Sequence, residues 1–177
     1  VMGAFPSTNR VLLWRRLREL GFRGAGLRIL VALFLNDARI GGVGGVLYSR
    51  RVTRRSGVPE GFRLSPLLFA LAFSPLIECL KATGAGVHVS GEFLGALMLA
   101  DDVAIVAESA GDLRVLFTAL LDWLFTNRFR AHNGKTVVAV VGPRADAAIA
   151  FEGGTFTVGH RGITRRFSVG TRACYLG

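Results

Sequence analysis

Lysine is nearly missing from this chain: only Lys81 and Lys135 carry it, and the other twenty of the 22 basic residues are arginine. Acid is scarce as well, with 12 acidic residues and a formal net charge of +10. An excess of that size suits a polyanion such as nucleic acid, although a GC-rich genome would also write arginine in place of lysine. Long polar stretches are absent. Half of the 177 residues are apolar (51%) and only 19% are charged, which excludes a disordered chain and suffices for one domain with a real core.

Cysteine is almost as rare. Cys79 and Cys174 stand far apart and neither belongs to a CxxC pair, which argues against a zinc site. Free thiols in a reducing, intracellular setting are the expectation. The first residues, Val1 to Pro6, lack the basic-then-apolar order of a secretory leader. The longest apolar stretch, 64–80, is interrupted by Ser65, Pro66, Ser74, Pro75 and Glu78. A membrane span needs about 20 predominantly apolar residues, so this stretch reads as a buried helix and no membrane partner is expected. Neither a repeat nor a low-complexity linker is visible.

What is present follows the periods of regular structure. Ser7, Thr8 and Asn9 can cap a helix whose apolar residues are Val11, Leu12, Trp14, Leu17 and Leu20, with Gly21 to close it. A second helix is expected over 25–35, then a strand pair over 39–55 with arginines along its edge. Ser65-Pro66 opens a helix that is apolar all round and should be buried, with Pro75 kinking or splitting it. The buried face should include Leu67, Phe69 and Leu71. Strands are expected over 86–89, 93–99, 103–107 and 137–141. Between them, Ser109 and Asp112 cap a helix with a stripe of Leu113, Leu116, Phe117, Leu120, Leu121 and Leu124. Short antiparallel strands should fill the rest. The order of helices, strands, helix and strands implies an α+β domain.

Asp101-Asp102 is the strongest chemical signal. Two adjacent carboxylates between apolar strands are costly unless compensated, and a divalent cation with a taste for hard oxygen would compensate them. A pair of such ions can activate a 3′-hydroxyl and steady a leaving pyrophosphate. An exposed turn would also accept aspartates. About forty residues earlier, 56–69 reads SGVPEGFRLSPLLF, a glycine-bearing loop opening a helix, where backbone can approach a ligand closely.

That segment resembles the G-V-P-Q-G-x-x-L-S-P-L-L-F stretch of non-LTR retrotransposon reverse transcriptases. Leu99-Ala100-Asp101-Asp102 resembles the family's F/Y-A-D-D box. Asn133-Gly134-Lys135-Thr136 resembles its N-x-K-T segment, and Tyr175-Leu176-Gly177 resembles the Y-L-G of its primer grip. Residues 1–10, with Leu20-Gly21-Phe22, resemble the D-x-x-x-A-F-D-S-V-N-R segment and the end of its helix. The resemblance covers the whole chain. It implies a palm-like antiparallel sheet with helices on one face, without fingers or thumb, as one domain over 1–177 truncated at both ends.

The same resemblance assigns roles. Asp101 and Asp102 would hold Mg²⁺ (or Mn²⁺), and Lys135 would give a proton to pyrophosphate. Phe5 would exclude a ribose 2′-hydroxyl, and Pro59, Glu60, Gly61 and Ser65 would lie under template base and incoming nucleotide. Tyr175, Leu176 and Gly177 would grip the primer, and Arg50, Arg51, Arg54, Arg55 and Arg63 would track nucleic-acid phosphates. The partners implied are an RNA template, a DNA primer and deoxynucleoside triphosphates, in the nucleus if the element is eukaryotic. Three positions depart from the pattern: Pro6 for a second aspartate, Glu60 for glutamine and Leu99 for an aromatic. The family's first metal-binding aspartate would stand one position before Val1. RNA-templated polymerases of the GDD type and LTR-type enzymes differ in the helix-opening segment, and group II intron and retron enzymes are nearer. The alternative is a catalytically dead retroelement relic that at most binds nucleic acid.

Overall fold

The computed structural model describes residues 1, 3–35, 38–43, 46–53, 56–59, 61–140 and 155–170. The chain divides into two compact units, Gly3–Phe73 and a second made of Ser74–Gly177 with Val1–Met2. The α+β class holds in both.

In the first unit a short α1 (Ala4–Ser7) precedes α2 (Arg10–Glu19) and α3 (Gly24–Leu35). Asn9 caps α2 by accepting from the N–H groups of Val11 and Leu12 at 3.0 and 3.3 Å. Gly21 takes a φ of +85°, so the N–H groups of Gly21 and Phe22 reach back to the carbonyls of Arg18 and Leu17 and stop the helix as its sequence implied. The buried stripe differs from the expected one. Leu12, Leu13 and Leu17 face inward with Arg10, while Val11 and Leu20 are 76% and 53% exposed. Spacing of three and four residues from Arg10 selects Leu13 and Leu17, and puts Val11 a quarter-turn round the cylinder.

β1 (Ala38–Val43) and β2 (Val46–Thr53) form the expected antiparallel pair. α4 (Ser65–Phe73) then packs on α1 and α2. It buries Leu68, Phe69, Ala72 and Phe73, but Leu67 is 55% exposed and Leu71 half-buried. A helix apolar on every side was expected to be covered on every side, yet nine residues packed on one face leave Leu67 on the other. Ring contacts tie the unit together: Phe34 meets Trp14 and Phe62 edge-on at 5.3 and 6.3 Å, and Phe69 stacks on Phe73 at 5.1 Å.

The helix expected through 64–80 is split at Pro75, which begins α5 (Pro75–Lys81) in the second unit. β3 (His88–Val89) pairs with β4 (Glu92–Phe93), and β5 (Ala96–Leu99) with β6 (Asp102–Ile105). The single strand expected over 93–99 is therefore two. The break falls at Gly95, where any Cβ would enter the Phe93 ring, and Leu94 donates to the Val87 carbonyl. α6 (Ala110–Thr126) starts from Ser109, whose Oγ accepts from the Asp112 N–H at 3.0 Å. It buries Leu116, Phe117, Leu120, Leu121 and Leu124, as its spacing implied.

β7 (Val138–Ala139), β8 (Thr155–His160) and β9 (Ile163–Gly170) form a sheet of order β7-β9-β8. β8 and β9 are antiparallel, whereas β7 runs parallel to β9. Phe117 of α6 lies on this sheet, 6.1 Å from Phe156 and 5.0 Å from Phe167. A fully buried ring or leucine contributes about 1.5–3 kcal/mol over its exposed state, so this contact helps hold α6 to the sheet. The described strands make four small, mostly antiparallel sheets, in keeping with the expected α+β palm-like class. Among the described residues no helix is long and apolar enough to cross a membrane.

Candidate functional site

The β5–β6 hairpin is tight. Leu99 lies opposite Asp102, so Ala100 and Asp101 alone make the turn. Ala100 has a φ of +50°, a conformation L-residues avoid and one that costs on the order of 1–3 kcal/mol. The turn holds that strain at the corner that carries the two successive aspartates. The Asp101 side chain is 46% exposed, and Asp102 is exposed too. The backbone nitrogen of Val1 donates to the Asp101 carbonyl at 2.9 Å and lies 3.8 Å from its Oδ2.

Two adjacent, accessible carboxylates are a donor set that fits Mg²⁺, which takes one or two carboxylates and completes its shell with water and phosphate oxygen. No group of three or more His, Cys, Asp or Glu able to hold a metal occurs among the described residues. Lys135, in the 3₁₀ turn Asn133–Lys135, is exposed.

In the first unit the loop before α4 is bolted to α1. The N–H of Gly57 donates to the Thr8 carbonyl and that of Val58 to the Phe5 carbonyl, both at 2.8 Å. Gly57 has a φ of +81° and lies directly against the Phe5 and Pro6 carbonyls. The Phe5 ring packs edge-on against Phe69 at 5.6 Å, so both its backbone and its ring are held. Ser65, expected to cap α4, is 2% exposed, and its hydroxyl donates to the Pro59 carbonyl at 2.5 Å. The carbonyl lies six residues back in the loop, so the hydroxyl fixes the loop instead of the helix end. Gly61, with a φ of +81°, is exposed and Pro59 is half-buried.

Arg10 was not singled out by its sequence, and it is the centre of this arrangement. Only 9% exposed, it donates from Nε to the Gly57 carbonyl and from Nη1 to the Phe34 carbonyl, each at 2.8 Å, with its guanidinium 5.1 Å from the centre of the Phe34 ring. The available signal was an arginine at the head of the stripe that continues through Leu13 and Leu17. Asp122, His160 and Arg161, which form a second cluster, carried no sequence signal at all.

Phe5, Pro59, Gly61 and Ser65 thus belong to the first unit, and Asp101, Asp102 and Lys135 to the second. Arg63 is exposed, and Arg50 and Arg51 lie on β2. Glu60, Arg54, Arg55, Tyr175, Leu176 and Gly177 lie outside the described residues, as do the side chains of Arg50 and Arg51. Charge is unevenly shared: 3–73 holds twelve arginines against three acidic residues, and the remainder ten basic residues against nine acidic. Residues 2–169 match the family model described as reverse transcriptase (RNA-dependent DNA polymerase).

Proposed function

Because the chain belongs to the reverse transcriptase family, we propose that it is the palm region of a non-LTR retrotransposon enzyme, which adds deoxynucleotides to a primer 3′-hydroxyl under the direction of an RNA template. The observation that carries the reading is the β5–β6 turn, where Ala100 takes a φ of +50° and only Ala100 and Asp101 stand between the paired Leu99 and Asp102, leaving both aspartates accessible between apolar strands. The family resemblance reads this turn as the A-D-D box that holds divalent metal.

In this reading Asp101 and Asp102 hold divalent metal, which when bound would offset negative charge on the phosphates and on the attacking oxygen. Phe5 is a wall beside the sugar: held at its carbonyl by Val58 and at its ring by Phe69, it yields little to a 2′-hydroxyl. Pro59 and Gly61 underlie template base and nucleotide, with Ser65 bracing Pro59 from behind. Lys135 protonates the leaving pyrophosphate. Arg50, Arg51, Arg54, Arg55 and Arg63 track phosphates, and the basic balance of the first unit supports the assignment.

The test is extension of an oligo-dT primer on poly-rA with Mg²⁺ or Mn²⁺. Residues 1–177 alone should give no product, since misplacing reacting groups by 1 Å can cost about 10²-fold. A chain that adds an aspartate before Val1, with fingers and thumb segments on either side, should extend the primer, and Asp101→Ala should abolish extension. Extension by Asp101→Ala would overturn the reading.

A further inference from the structure

The turn between β8 and β9 is fastened to α6 by a cluster of side chains that has no part in the proposed chemistry. Asp122 of α6 places Oδ1 3.0 Å from Nε2 of His160 and 3.5 Å from Nε of Arg161. The Arg161 guanidinium lies 4.1 Å from the centre of the Phe125 ring, one helical turn beyond Asp122. The His160 side chain is 8% exposed, while the Asp122 carboxylate that meets it is half exposed. One carboxylate therefore gathers both residues at the turn, and Phe125 supports one of them from below.

What the turn carries gives the cluster its meaning. From Ile163 the chain runs back along β9, whose far end takes β7 as a parallel neighbour, Val138 opposite Val169 and Ala139 opposite Gly170. β7 has only two residues, and β9 is its one partner among the described strands. It begins three residues after Lys135. A two-residue edge strand cannot fix its own place, so β9 fixes it. β9 is placed in turn by β8, by Phe167 against Phe117, and by the clamp at the turn.

We infer that Asp122 is a positioning residue: by holding His160 and Arg161 it sets β9, and through β7 it sets the segment that presents Lys135. The use made of Lys135 rests on the function proposed above, but the mechanical claim has its own readout.

That readout is backbone amide exchange in the 177-residue chain. Asp122→Ala should speed exchange in the β8–β9 hairpin and at β7 by about three- to tenfold, as expected for losing a half-exposed charged hydrogen bond. Amides of the β5–β6 hairpin should not change, and Asp122→Glu should restore much of the protection. Should Asp122→Ala fail to fold, His160→Ala and Arg161→Ala each remove one arm of the clamp and should give the same pattern in smaller measure. Faster exchange confined to 159–162, with Val138 and Ala139 unmoved, would overturn the inference. So would an equal rise in the β5–β6 hairpin, which would mark general loosening. Primer extension with Lys135→Ala, made in the longer chain that carries fingers and thumb, tests the chemical role separately: full activity there would remove the proton-donor reading and leave the exchange result standing.

Discussion

Gly57 and Pro6 touch backbone to backbone: a Cβ on Gly57 would lie 2.6 Å from the Pro6 carbonyl oxygen. The contact brings the loop before α4 onto α1, and with it the carbonyl that receives Arg10.

Gly57→Ala should therefore destabilise the chain by more than the ~1 kcal/mol that a left-handed φ alone exacts, since the clash is with backbone that cannot rotate away; about 2–4 kcal/mol is expected. A urea melt measures it. A loss under about 0.5 kcal/mol, typical of surface changes, would mean the loop is free to lift off α1.

Arg10→Ala should cost about 2–4 kcal/mol, because the Gly57 and Phe34 carbonyls lose a charged donor in a buried place. Arg10→Lys should recover only part of this, as one ammonium lacks the fork that spans two carbonyls. Stability of Arg10→Lys equal to that of the unsubstituted chain would mean that Arg10 acts only through its charge.

Nucleic-acid binding should weaken steeply with salt, since arginines that neutralise phosphates release counterions. Filter binding of a short RNA–DNA hybrid at several salt concentrations reads the slope, and Arg63→Ala should lower it by about one unit if that side chain contacts a phosphate. A slope near zero would exclude the phosphate track.

Burial pushes the Cys79 thiol above its ordinary 9.0, and the Asp122 carboxylate pushes the same way. The unfolded chain then ionises first. The contribution of Cys79 to stability is full below the unfolded thiol value and is lost as pH climbs through and beyond it. In a Cys174→Ser background, alkylation should be slow at neutral pH, and Asp122→Asn should speed it. An unchanged rate would show that the carboxylate does not reach the thiol.

Local grammar was legible in the sequence where it depends on neighbours in the chain. Asn9, Gly21 and Ser109 act at helix ends as their residue types demand, Pro75 splits the helix, and Asp101 sits at a hairpin corner. The illegible parts depend on contacts far apart in sequence. Nothing near Ser65 tells that its hydroxyl serves Pro59 instead of the helix end, and nothing near Val11 tells that Arg10 goes inward in its place. The same holds for the candidate site. The motif around Gly57 was readable, but the reason it needs glycine lies in Phe5 and Pro6, about fifty residues earlier.

The parallel pairing of β7 with β9 also has a consequence in time. Val138 must wait for Val169 before its sheet can form, and the intervening loop has to close at an entropic expense that antiparallel neighbours avoid. On a ribosome making about 5–20 residues per second, the stretch after Lys135 would leave the exit tunnel seconds before its partner strand. Until then it is an unpaired edge, open to wrong partners, so the region that presents Lys135 should be among the last parts of the chain to mature.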